Sequence, residues 1–444
     1  MWTPPPRPAE IESLEALYLA GLHLETHGAG NGLAEEYHRE AIRRDPRDIR
    51  NNAALGRALL RRGELAGAEV HLRTAVATQT RFDAHPHEGE PSYSLGLCLR
   101  LQGRWQLGPA REWWERSRRW GPAPPAAHRG LAIVHLREGR GPRRALRCLE
   151  LALRLDPGDH RLALEVDYLR KRSGATPEQR VSFLDARRRA AGEHEDLSVE
   201  LMTLLNTVGR HRQALAVGRG RRLDEWSPGL ARLAEQQVLA LVEIARRRAL
   251  ASRLARALDL LERARSCAGG IGADHHGYRT RIAHWQGVVL DLMGERALAM
   301  GERALARESW NEAATGSLHD AARAALPVPA PEGAFYRGLA LDRLGDPPAA
   351  RDLFTGLLEG AGPEPSDGDG DSVLPGSDFP ADDDAASGRE AGRRFAAALG
   401  AWGLGRRAAA RRELTSVLGL DSSHQSAHIH LRWLRDEASP GDRP

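Results

Sequence analysis

The spacing of small residues restricts this chain more than any other feature. In Asn52 to Ala75, N-A-A-L-G-R-A-L-L-R-R-G-E-L-A-G-A-E-V-H-L-R-T-A, small residues fall at Gly56, Ala68 and Ala75, large apolar ones at Leu55, Leu59 and Leu72, and Gly63 divides two helix-length halves. The pattern predicts a helical hairpin whose helices touch backbone to backbone. A small side chain is needed where two helices cross, and flanking leucines fill the remaining gap. Ala68 and Ala75 are seven residues apart, two turns, so they share a face. One hairpin cannot bury its own apolar face, so neighbours are implied.

Neighbours are present in register. Ala34 precedes Ala68 by 34 residues, and Ala34, Ala41 and Asp45-Pro46 repeat the intervals of Ala145, Ala152 and Asp156-Pro157. Proline ends each pair because it cannot continue the hydrogen-bond ladder. A period of 34 with L-G, a later glycine and A-x-x-x-L-x-x-A resembles the tetratricopeptide repeat. Further units begin at Leu95-Gly96, Leu131-Ala132, Val166, Leu201, Ile244 and Gly338; the second helix of the Leu95 unit, rich in tryptophan (Trp105, Trp113, Trp114, Trp120), is expected to be irregular. Met293–Ala299 and Met300–Ala306 are both M-G-E-R-A-L-A. Seven residues nearly preserve a helix face, so the copy reads as a tolerated duplication, with Gly301 at the turn and Ala306, Trp310 and Ala313 in register after it.

The expected fold is therefore all-α, a right-handed superhelix of about nine or ten hairpins. Residues 1–9 form an extended lead, with the first helix starting near Glu10, and 10–360 form the array. Residues 361–392 form an acidic flexible connector, 393–437 a capping helix pair and 438–444 a tail. A stacked array has no single core to outgrow, so 444 residues do not force several globular domains.

The net charge of +4 invites a nucleic-acid reading. Lys171, however, is the only lysine, so 63 of the 64 basic residues are arginine, as in a GC-rich coding bias. Residues 361–390 carry nine acids and one arginine, a net −8, leaving +12 dispersed over helix faces. Nucleic acid is not the expected partner. Cys98, Cys148 and Cys267 are odd in number and far apart, as in reduced thiols of a cytoplasmic protein. No run of about 18 apolar residues exists, so no membrane span is expected.

No catalytic constellation stands out. There is no phosphate loop, nucleophile elbow or H-E-x-x-H, and acids on helix faces are matched by arginines at i+3 and i+4. His85, His87, Glu88 and Glu90 are the densest cluster of possible ligands, but their spacing fits no zinc motif, and His275-His276 lacks a third ligand. Asp367, Asp369, Asp371 and Asp378 imitate a calcium loop, yet Ser372 stands where glycine is needed and Pro375 interrupts it. No metal, cofactor or catalytic residue is assigned.

What the fold implies is a binding surface. In a tetratricopeptide-like array the first helices of the pairs line the concave groove. Arg57 and Arg61, with Tyr93, Leu97 and Arg100, are expected to point into it and to hold a carboxylate or backbone of another protein or peptide. Beyond the repeat, Tyr18-Leu19-Ala20-Gly21-Leu22-His23-Leu24-Glu25, Gly89-Glu90-Pro91-x-Tyr93-x-Leu95-Gly96-Leu97, Gly270-Ile271-Gly272, and Val373 to Phe379 with Asp382-Asp383-Asp384 resemble the helical array of bacterial proteins that carry an amino-terminal β-rich domain, absent here, often carbohydrate-associated. The principal expectation is a non-catalytic scaffold. The alternatives are an accessory region of a carbohydrate-processing protein and a regulatory module contacting nucleic acid.

Overall fold

The structure is a computed structural model that describes residues 5–26, 31–103, 107–120, 123–191, 194–219, 228–268, 278–297, 300–321, 331–359 and 385–436. Among these the protein is all-α, with one 3-10 turn at Pro8–Glu10 before twenty-one α-helices packed as consecutive hairpins. Two compact units are resolved, Met1–Leu169 and Arg170–Pro444.

Unit 1 pairs α1 (Leu14–Thr26) with α2 (Asn31–Arg44), α3 (Ile49–Arg61) with α4 (Leu65–Phe82), α5 (Glu90–Gln102) with α6 (Leu107–Arg119), and α7 (Pro125–Arg137) with α8 (Pro142–Leu155). It closes on α9 (His160–Arg172), which runs to the unit boundary. Unit 2 holds α10 (Pro177–Ala191), then the pairs α11 (Glu195–Thr207) and α12 (His211–Gly218), α13 (Pro228–Leu250) and α14 (Leu254–Ala268), and α15 (Tyr278–Ala297) and α16 (Met300–Ala321). There follow α17 (Pro331–Leu344) with α18 (Pro347–Leu358), α19 (Ala385–Gly403) with α20 (Arg407–Leu420), and a lone α21 (Gln425–Asp436).

The crossings are built as the spacing predicts. Ala68, Leu72 and Ala75 are fully buried, and a methyl on Gly56 would lie 2.6 Å from Leu72 Cγ. Of the tryptophan-rich stretch, Leu107–Arg119 forms α6, while Trp105 lies outside the described residues. Its Trp114 replaces the usual leucine and is accommodated because Gly96 and Gly130 face it, with methyls there 2.7 and 2.8 Å from the ring.

Among the described residues seven turns share one geometry. At the first, Gly63 has φ +79°, its N–H donates to Leu60 O at 3.1 Å, and Glu64 N–H donates to Leu59 O at 2.9 Å, the paired bonds of a Schellman end. The same pair of bonds recurs at Gly139, Gly174, Gly209, Ser252, Gly345 and Gly405. Ser252 does this at φ +60°, a conformation that costs an L-residue roughly 1–2 kcal/mol.

Three expectations change. The first α-helix starts at Leu14, not near Glu10, because Arg44 donates to the carbonyls of Ile11 and Glu12 and ties the lead to α2. Gly301 lies in the first turn of α16 rather than between helices, although Ala306, Trp310 and Ala313 are buried in the expected register. Three helices, α19, α20 and α21, stand where a capping pair was expected over 393–437, and α19 opens at Ala385, inside the expected flexible connector 361–392, because Ala391 is buried against unit 2. The acidic run Asp367 to Asp384, His275-His276 and the tail from 438 lie outside the described residues.

Candidate functional site

The odd-numbered helices of unit 1 are stitched by ion pairs. Glu15 of α1 meets Arg50 of α3 at 3.2 Å, and Glu25 of α1 meets Arg61 of α3 at 3.1 Å. Arg57 of α3 meets Glu90 of α5 at 3.2 Å, and Arg129 of α7 grips the buried Glu165 of α9 at 2.6–3.0 Å. The two expected groove arginines on α3 thus already hold carboxylates of this chain. Glu25 is held below the usual carboxylate range, most strongly by the His38 ring beside it and also by Arg61, against the opposing effect of burial.

Tyr93, Leu97 and Arg100 are half-buried on α5 at i, i+4 and i+7, so they share a face with Glu90. Tyr93 packs on Leu107, Ala110, Trp114, Leu131 and Val134, and its carbonyl accepts the Trp114 indole N–H at 3.2 Å. Arg57 is brought to this face through Glu90, whereas Arg61 turns the other way, to α1. The partners Glu15, Glu25 and Glu165 were legible in principle: they lie 35, 36 and 36 residues from their arginines, about one repeat.

The odd-numbered helices of unit 2 share a second face, and α21 lies on it. Gln425 donates to Thr203 O of α11 and to Gln236 of α13, both at 2.9 Å, and Arg432 donates to the carbonyls of Asn206 and Thr207 that end α11. The Trp433 indole donates to buried Glu243 of α13 at 2.9 Å and meets Trp285 of α15 edge-on at 5.7 Å between ring centres. It also touches Tyr336 of α17 and Trp402 of α19, each at 6.3 Å. The guanidinium carbons of Arg246 and Arg281 lie 4.7 and 5.3 Å from its centre, a desolvated cation–π arrangement. Asp436 closes the row with Arg246 at 2.7 Å. Burial pushes His430 down to about 4, leaving it neutral among Phe335, Phe395 and Trp402.

Below the indole, Arg281 is fully buried, donates to the Tyr336 hydroxyl at 2.7 Å and approaches Glu332 at 3.6 Å. Burial opposes its charge, but Tyr336 and Glu332 more than compensate, so its pKa is raised. Nothing in the repeat spacing marks this network, whose members lie on α13, α15, α17 and α21.

Among the described residues no group of three or more His, Cys, Asp or Glu side chains could hold a metal ion. His85, His87 and Glu88 are exposed, and Glu90 is paired with Arg57. Burial raises all three thiols, Cys98 to about 11, which makes them poor nucleophiles. No described helix is long and apolar enough to cross a membrane.

No family model matches the chain. Among solved structures it is similar to Pseudomonas aeruginosa PilF, with 20% identity over 46% of this chain and 88% of that one and a TM-score of 0.38. YrrB, a tetratricopeptide protein with an unusual peptide-binding site, matches at 18% identity over 47% of this chain and 97% of its own, with a TM-score of 0.34. A tetratricopeptide repeat protein from Parabacteroides merdae matches at 14% over 58% of this chain and 97% of its own, with a TM-score of 0.33. The repeated crossings and turns of its own hairpins make this chain, by fold, a tetratricopeptide-type helical repeat protein.

Proposed function

We propose that the chain is a non-catalytic protein-interaction scaffold that takes a partner segment on the odd-helix face of unit 1, at Arg57, Arg61, Tyr93, Leu97 and Arg100. The observation that carries this reading is in unit 2, where the equivalent helices receive a helical segment through an anchoring indole and arginine contacts to main-chain carbonyls. On the unit 1 face the partner supplies the carboxylate or carbonyl that exchanges with Glu90 on Arg57 and with Glu25 on Arg61. At the partly exposed Arg57–Glu90 pair such exchange is nearly isoenergetic, because ion pairs of that kind contribute only about 0–1 kcal/mol. The free thiols support a reducing, cytoplasmic setting for the encounter.

The test is affinity capture from the source cell's lysate, comparing wild type with Arg57→Ala/Arg61→Ala/Arg100→Ala and identifying the retained proteins by mass spectrometry. The variant is expected to melt within a few degrees of wild type and to lose a specific protein that wild type retains. Equal retention by both would remove this face from consideration.

A further inference from the structure

The seat of α21 adds a set of polar contacts to the apolar base that it shares with the rest of unit 2. The hairpins of unit 2 cross on apolar residues: Ala257 and Leu261 in α14, Ala410 and Leu414 in α20, all fully buried. Polar groups instead line much of the seat of α21. It includes the Gln236–Gln425 amide pair, the Trp433–Glu243 hydrogen bond, the Arg246–Asp436 ion pair, and main-chain carbonyls of α11 accepting from Gln425 and Arg432. Several buried atoms at this seat form no hydrogen bond among the described residues: Glu243 Oε1, Arg246 Nε, Trp285 Nε1 and His430 Nε2. Water can satisfy those atoms once α21 leaves, and it can replace the polar contacts that are lost. Ala427, Ile429, Leu431 and Leu434 of α21 are buried in the apolar core of unit 2 beside these polar groups, so the seat is mixed, as in interfaces that open, whereas the hairpin crossings are apolar.

We infer that the odd-helix face of unit 2 is a helix-binding groove and that α21 is its cis-acting occupant, exchangeable for a partner helix of matching chemistry. The seat states what that partner must present. An indole points at Glu243 between Arg246 and Arg281, and a carboxylate three residues later on the same face reaches Arg246. An arginine just before the indole reaches the carbonyl end of α11. This inference concerns unit 2 alone and stands whether or not unit 1 holds a partner.

Two measurements on the full chain decide it. In hydrogen–deuterium exchange of the unaltered protein, α21 amides are expected to exchange ~100-fold faster than those of α13 and α15, by an opening that leaves the array folded. Protection of α21 equal to that of α13 would make it part of one cooperative core and overturn the inference. The second uses a fluorescent peptide of the Ser422–Asp436 sequence, added to wild type and to the Trp433→Ala chain. The variant, its cis helix weakened, is expected to bind the peptide at least tenfold more tightly than wild type and to ignore a peptide with alanine in place of the tryptophan. A folded variant that fails to bind the peptide overturns the inference. Where the variant does not fold, the exchange measurement on wild type decides alone.

Discussion

At the scale of single residues, close approach and burial decide most outcomes. Ala68 has no exposed surface, and its carbonyl lies 3.4 Å from where a methyl on Gly56 would sit. Ala68→Leu should therefore destabilise unit 1 by roughly 1–3 kcal/mol through overpacking, read as a lower Tm with unchanged net charge. Burial also sets a pH dependence. His430, His284 and His211 are pushed by burial from 6.5 to about 4, 3 and 3 respectively. Unfolded, they take up protons below about 6.5 that the folded rings refuse, so stability is fully present above 6.5 and falls as the pH drops towards 4. Each ring costs about 1.4 kcal/mol per pH unit in that window. Melting at pH 7.5 and pH 5.0 checks it; an unchanged Tm would mean that the rings are protonated equally in both states. The small residues were legible in the sequence because a crossing demands them. The depressed histidines were not, since an isolated histidine reads the same whether buried or exposed.

At the scale of elements, glycine punctuation was legible because the left-handed turn residue is nearly always glycine; Ser252 is the position where a different residue hides the same turn. The duplicated heptad shows where local reading stops. Its first copy ends α15, with Gly294 buried and Met293 packed on the core, and its second opens α16, with Ala306 fully buried. Sequence alone suggests that either copy can be spared, yet one copy cannot serve both helices. Deleting seven residues is expected to cost about 1 kcal/mol or more, since full burial of a methionine side chain is worth about 1.5–3 kcal/mol and Met293 is partly buried. Circular dichroism melting of the deletion checks this; a wild-type melt would restore the reading of a neutral insertion.

At the scale of the whole molecule, nearest-neighbour logic accounts for the array and fails at its end. The helices, their pairing, their crossings and six of the seven glycine-type turns follow from a 3.6-residue period and a repeat near 34 residues, both of which are local quantities. The carboxylate partners of the α3 arginines required comparing positions one repeat apart, a weaker signal in a chain so rich in arginine and glutamate. The seat of α21 required the tertiary structure. The Trp433–Glu243 and Arg246–Asp436 contacts each join residues 190 apart, and Lys171 meets Asp421 across 250. Whether a terminal helix that stacks on the last pair also lies along the odd-numbered helices, as α21 does, depends on small rotations summed over successive pairs, which no single stretch encodes. The sequence by itself determined what each hairpin is, because a hairpin is closed by contacts within it. Only the tertiary structure decided which charges meet and which helix occupies the face of unit 2, because those contacts exist only once the rotations have accumulated.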